Sequence, residues 1–246
     1  MKIVCIIPAR YKSSRYPGKP LADILGKPLI WWVYKRAEKV TDFDEIYVAT
    51  DDDRIKKICE ELGLKVVMTS ENNPTGTDRV AEAAEKIPAD LYINIQGDEP
   101  LVSEETIKAA ITPFFENKNL QVTNLMTTIR NSAEIVNSTI PKVVTNKDGY
   151  GLFLSRSPIP YPKGETDVTY FKQVCVYGFK KEALTFYKNT SRGYAERCED
   201  IEILRFIENN IPVKFIEVSQ ETVAVDTPKD LEKVKKILEN NHERTL

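Results

Sequence analysis

Four basic side chains, Arg10, Lys12, Arg15 and Lys19, crowd into the stretch PARYKSSRYPGKPL at residues 8–21, with no acid among them. Pro17, Gly18 and Pro20 keep this segment out of a helix. Unpaired cations on a loop, with the backbone amides around Ser13, Ser14 and Gly18, can wrap a polyphosphate. The sequence G-x-x-x-x-G-K-[ST] is absent, so this is not a Walker loop. A solvated basic loop is the plainer reading; its place directly behind the apolar run KIVCII favours the anion site.

Two carboxylates stand at comparable positions. Asp98 lies in GDE (97–99) beside Gln96, after LYINI, and Asp226 lies in AVDTP (224–228). Each follows an apolar run and precedes a helical pattern. Alone, Asp98 also fits a turn or a cap; together the two acids can hold a metal ion that neutralises phosphate charge. The run ATDDDR (49–54) contains the D-x-D pattern of a metal-dependent glycosyltransferase, but helix-start chemistry at Asp51 or Asp52 explains it as well and is favoured. PTGTDR (74–79) enters a helix through a glycine, offering amides to a nucleotide or simply an N-cap at Thr77. Trp31 and Trp32 read as core or interface. The only histidine is His242, in a polar tail, so serine or cysteine triads have no histidine base.

The elements that must position these groups alternate. Strands are expected at KIVCII, EIYVAT (45–50), KVVMT (65–69) and LYINI (91–95), separated by helices carrying Ile30–Val40, Asp53–Leu62 and Val80–Ile87. A further helix follows Ser103 as its N-cap. This is an α/β pattern with a mostly parallel sheet and helices on both faces, whose ligands belong at the carboxyl ends of the strands. After about residue 120, QVTNLMTTI, KVVTN, GYGLFLS and KQVCVYGF predict a smaller antiparallel lobe. Helices are expected near 181–189 and 199–209, a strand at 213–218, and a last helix behind Thr227 and Pro228. The reading is one domain, 1–246, with halves of about 1–120 and 121–246.

Composition narrows the rest. With 246 residues, 41% hydrophobic and a net charge of −2, the chain can bury a large core but lacks the basic excess of a nucleic-acid binder. No stretch reaches membrane-span length, and Ile3–Ile7 is too short for a signal-peptide core, so no membrane partner and a cytoplasmic location are expected. The four cysteines, at 5, 59, 175 and 198, form no C-x-x-C pair.

Taken in order, IPARYKSSRYPGKPL, ATD, TGTDR, INIQGDEPL, SRSPIPY and VDTPKDLEKV resemble the 3-deoxy-manno-octulosonate (Kdo) cytidylyltransferases over essentially the whole chain. The resemblance implies a Rossmann-like fold, a homodimer, and formation of CMP-Kdo and pyrophosphate from CTP and Kdo for lipopolysaccharide. By position it implies that Arg10 and Lys19 hold the triphosphate, with Pro8, Ala9, Ser14 and Arg15 in the same segment. Thr75, Gly76, Thr77 and Arg79 would contact the nucleotide and Gln96 the ribose or sugar. Asp98 and Asp226 would bind Mg2+, and Arg10, Lys19 and Asp98 form the catalytic set. Arg156, Tyr177 and Glu202 match sugar-acid positions. The chain reads Gln173-Val-Cys-Val-Tyr-Gly where the family usually has His-x-Gly-x-Tyr-Gly, so another sugar acid, such as 8-amino-Kdo or sialic acid, is the alternative acceptor.

Overall fold

The computed structural model describes residues 1–13, 15–164, 167–219 and 223–241. In chain order the elements are β1 (Ile3–Ala9), a 3-10 turn (Lys19–Leu21), β2 (Asp23–Ile24), β3 (Lys27–Pro28), α1 (Leu29–Glu38), β4 (Glu45–Thr50), α2 (Asp53–Glu61), β5 (Val66–Met68), α3 (Gly76–Lys86), β6 (Leu91–Ile95) and α4 (Glu104–Ile111). There follow α5 (Pro113–Glu116), β7 (Val122–Thr128), α6 (Ser132–Ile135), β8 (Lys142–Thr145), β9 (Gly151–Ser155), β10 (Phe171–Lys180), α7 (Lys181–Asn189), α8 (Tyr194–Glu199), α9 (Leu204–Glu208), β11 (Val213–Glu217) and α10 (Pro228–Asn240).

Two compact units emerge, residues 1–108 with 222–246, and residues 109–221. In the first, β1 lies between β4 and β6, with β5 outside β4, and all four strands are parallel. Every residue of β1 and β6 is buried, as expected for parallel strands covered on both faces. Helix α1 contributes Leu29, Ile30, Trp32 and Val33 to the core, and Trp32 donates its indole N–H to Ile24 O at 2.9 Å. Trp31 is also buried, so both tryptophans belong to the core. The expected alternation, the Rossmann-like sheet and the helices around it are all present.

In the second unit β7 pairs antiparallel with β10 and parallel with β11, while β8 pairs antiparallel with β10 and β9. Of the helix expected over 199–209 only α9 forms, from Leu204 to Glu208, while α8 lies before it and ends at Glu199. Asp200 takes a left-handed conformation (φ 51°) that ends α8, and a short carboxylate side chain tolerates that region better than most. A buried two-pronged pair, Arg205 to Glu196 at 2.7 Å through both Nε and Nη2, ties these helices together.

Candidate functional site

The basic loop leaves the carboxyl end of β1, where Pro8 and Ala9 are still buried, and Arg10 is the first exposed residue. Gly18 closes the loop with a left-handed φ of 72°, its N–H donating to Tyr11 O at 2.9 Å. The 3-10 turn then begins at Lys19. Beside it β6 ends at Ile95, and Gln96, half-buried, leads into Gly97. A side chain at Gly97 would meet Pro8 O at 2.7 Å, so glycine lets the exits of β1 and β6 run close together.

Asp226 reaches the same place from the far end of the chain. Val225 N–H donates to Asp98 O at 2.9 Å, which seats the segment before α10 on the turn after β6. Thr227 then starts α10 through a reciprocal capping box with Asp230, with Pro228 at the first helical position. Lys19 Nζ lies 2.6 Å from Asp98 Oδ2 and 3.6 Å from Asp226 Oδ1. Arg15 grips Asp226 with both prongs, at 3.0 and 2.9 Å. Lys19, expected on phosphate, Arg15 of the same loop and the two acids expected on metal thus form one cluster, whereas Arg10 makes none of these ion pairs.

The carboxylates suit a divalent ion. Both already converge on one cationic centre, the Lys19 ammonium. Magnesium characteristically takes one or two carboxylates and completes its octahedron with water and substrate phosphate. No group of three or more His, Cys, Asp or Glu gathers into a cage among the described residues, so the remaining ligands would come from solvent and substrate.

The loop before α3 supplies a second set. Thr75, not Thr77, is the N-cap: Thr75 is extended, its Oγ1 accepts from Asp78 N–H at 3.1 Å, and Gly76 and Thr77 already lie within the helix. Arg79 is almost fully buried. Its Nη1 donates to Thr69 Oγ1 at 2.5 Å, and its Nη2 lies 3.3 Å from Asp51 Oδ2. Burial pushes this guanidinium below its usual range, while Asp51 opposes the shift. Asp52 is the N-cap of α2, accepting from Arg54 N–H. Asp52 thus makes the helix start that the favoured sequence reading expects of this run, while Asp51 is committed to an ion pair. The role of Asp51 as partner of Arg79 is invisible in the sequence, because β4 and α3 are brought together only by folding. Ser14 and His242 lie outside the described residues.

The second unit holds the other residues singled out. Strand β10 bulges between Val174 and Tyr177. The buried Asn124 of β7 fills the irregularity, donating Nδ2 to Val174 O and Val176 O at 2.9 and 3.0 Å. Its Oδ1 accepts from Gln173 Nε2 at 2.8 Å, so Gln173 is anchored through a neutral amide pair. Nothing but an asparagine inside an apolar strand run signals Asn124 in the sequence. Tyr177 is buried and stacks on Phe179; desolvation first, then Cys175 and Glu202, raise its phenol well above the ordinary value. Arg156 is turned to the main chain: Nε donates to Glu199 O at 2.5 Å, Nη1 to Ser138 O and Thr139 O, and Nη2 to Asp200 O. The guanidinium expected on a sugar carboxylate is engaged with carbonyls at the end of α8 and in the segment before β8. Glu202 is half-buried, and its charge is among the causes that raise the Tyr177 phenol.

Residues 4–242 match the family model described as Cytidylyltransferase. A 3-deoxy-manno-octulosonate cytidylyltransferase of Fusobacterium nucleatum subsp. nucleatum is 42% identical over 98% of this chain and 99% of its own length. One from Chloroherpeton thalassium is 44% identical over 97% and 98%. Among solved structures, a CMP:2-keto-3-deoxy-manno-octonic acid synthetase complexed with CTP superposes with a TM-score of 0.93 at 39% identity, covering 98% of this chain and 100% of that one. This chain belongs to the 3-deoxy-manno-octulosonate cytidylyltransferase family.

Proposed function

We propose that this protein transfers the cytidylyl group of CTP to 3-deoxy-manno-octulosonate, giving CMP-Kdo and pyrophosphate for lipopolysaccharide synthesis. The observation that carries this reading is the cluster of Lys19, Arg15, Asp98 and Asp226 at the carboxyl ends of β1 and β6, in a chain about 40% identical to enzymes named for that reaction. A hydroxyl of the sugar acid attacks the α-phosphorus, and pyrophosphate departs. Little covalent work falls to the protein, so positioning and charge neutralisation carry the rate.

The electrostatics explain the residue types. Two unit charges of like sign about 4 Å apart repel by roughly 4 kcal/mol at an effective dielectric near 20. A sugar carboxylate and a triphosphate therefore need cations around them. Lys19 and Arg10 hold the β- and γ-phosphates and stabilise the charge that builds on the leaving pyrophosphate. Arg15 adds to this field, and the Thr75–Thr77 segment with Arg79 holds the nucleoside. Asp98 and Asp226 would hold Mg2+, which when bound draws charge from phosphate oxygens and lowers the pKa of the attacking hydroxyl. Binding of the substrates requires Lys19 and Arg15 to release these acids and turn to phosphate. Gln96, Gln173, Tyr177, Glu202 and Arg156 are assigned to the sugar acid. A homodimer in the cytoplasm is the proposed form; no described helix is long and apolar enough to cross a membrane.

A pyrophosphate-release assay across CTP, UTP, ATP and GTP, and across Kdo, 8-amino-Kdo and sialic acid, tests the reading. CTP with Kdo should be the fastest pair; faster turnover of another acid would overturn the substrate assignment.

A further inference from the structure

The proposed phosphate contact of Lys19 rests on a loop with few buried residues, so something else must hold that loop. Lys12, Arg15 and Pro17 are exposed, and Tyr11, Ser13, Tyr16 and Gly18 are only half-buried. Besides the ion pairs of Arg15, Lys19 and Lys12, one set of contacts runs back to α2. Asp52 Oδ1 accepts from Arg54 N–H at 2.9 Å and from Arg54 Nε at 3.0 Å, and Asp52 Oδ2 accepts from Arg54 Nη2 at 2.7 Å. This local ring fixes the plane of the guanidinium. That plane lies on the face of Tyr11, with Arg54 Cζ 3.3 Å from the ring centroid. The Tyr11 ring in turn lies against Gly18: a Cβ there would come within 3.1 Å of Tyr11 Cζ and of its hydroxyl. Tyr11 O also accepts the Gly18 N–H at 2.9 Å. The residue after Gly18 is Lys19.

We propose that Arg54 and Tyr11 form a stacked brace that sets the turn at Gly18 and so aims Lys19, making both positioning residues for cytidylyl transfer. The proposal rests on the reading of Lys19 as a phosphate contact. A lysine side chain has several rotatable bonds, and its reach is reproducible only when its backbone is held. Guanidinium on an aromatic face supplies such a hold through a planar, two-sided contact that an ammonium does not reproduce. Arg54 is itself committed to Asp52 and Tyr11, and so acts on phosphate only through the loop. The run DDDR, set aside above as helix-start chemistry, thereby acquires a function: Asp52 caps α2 and orients the brace.

Calorimetric binding of CTP, pyrophosphate and CMP to the full chain, in magnesium buffer, tests this. CMP lacks the β- and γ-phosphates that Lys19 meets. Arg54→Ala should weaken CTP and pyrophosphate by roughly threefold to tenfold, the scale of one partly exposed cation–π contact, with CMP within about twofold. Arg54→Lys, which keeps the charge and loses the planar stack, should show the same loss. Tyr11→Phe should bind CTP more tightly than Tyr11→Leu. The double variant Arg54→Ala with Lys19→Ala should bind CTP no more weakly than Lys19→Ala alone, because the brace acts through that lysine. Equal loss for CMP and CTP, full rescue by Arg54→Lys, additive losses in the double variant, or unchanged CTP binding in Arg54→Ala would each overturn the brace. If Lys19→Ala itself binds CTP like the unaltered protein, the phosphate-loop reading falls and the brace falls with it. An intact Lys19 effect beside an inert Arg54→Ala removes the brace alone.

Discussion

Lys19 Nζ is seated 2.6 Å from Asp98 Oδ2, across 79 residues of sequence. One member of this pair is the cation proposed for phosphate, the other an acid proposed for metal. The two neutralise each other, and Arg15 does the same for Asp226. The Arg15 pair is more than half exposed on the arginine side, so solvent screening makes it weak and easily exchanged. The Lys19 pair is more sheltered and is the one whose exchange matters.

Replacing Lys19 with alanine should cut turnover by something like tenfold to a thousandfold, the scale of removing one cation from developing phosphate charge. The fold should survive, since Lys19 is not one of the buried core residues. Steady-state pyrophosphate release, with a melting curve as control, checks both halves. Turnover near that of the unaltered protein would remove Lys19 from the site.

Asp98→Asn and Asp226→Asn should each abolish magnesium-dependent activity, and the double variant should be no worse than either, because each loss empties one shared ion site. Binding of Mn2+ without nucleotide gives an independent readout. Lys19→Ala should tighten it severalfold by removing the competing ammonium, whereas Asp98→Asn should weaken it. Unchanged metal binding in all three variants would end the assignment of these acids to an ion.

At the sugar end two residues should part company. Gln173 contributes one neutral hydrogen bond, to Asn124, so Gln173→His should keep Kdo turnover within about tenfold and add a titration near neutrality to the pH–rate profile. Arg156→Ala should raise the KM for Kdo by roughly thirtyfold to a thousandfold while hardly moving that for CTP. It should also lower the melting temperature, since carbonyls of Ser138, Thr139, Glu199 and Asp200 lose their donors. A fall in melting temperature with no change in the KM for Kdo would make Arg156 purely structural.

Arg205 is 2% exposed and Glu196 fully buried, and their pairing is supported by Arg205 Nη1 donating to Tyr187 O at 3.0 Å. Arg205→Met would leave a buried carboxylate short of its main partner, a change that costs about 3–5 kcal/mol. Urea unfolding should show that loss; a change under about 1 kcal/mol would mean that Arg192, 3.1 Å from Glu196, suffices alone.

Much of this protein was legible in one dimension because the causes are local. The buried strands β1 and β6 follow from continuous apolar runs, and the start of α10 follows from Thr227, Pro228 and Asp230 within four positions. The motifs were legible too, since PARYKSSRYPGKPL and INIQGDEPL are contiguous. Local reading also missed a cap: the sequence points to Thr77 at the start of α3, and the backbone places the cap at Thr75. The helix expected from 199 starts only at Leu204, behind the left-handed Asp200 that ends α8. What only the tertiary structure decided is who meets whom. Arg15 and Asp226 are 211 residues apart in sequence, and their contact depends on the segment before α10 docking on the turn after β6. The same holds for Asp51 with Arg79, Asn124 with the bulge of β10, and Arg54 on Tyr11. Periodicity and caps report neighbours within a few residues, whereas these pairs are set by strand order and by which loops share one end of a sheet.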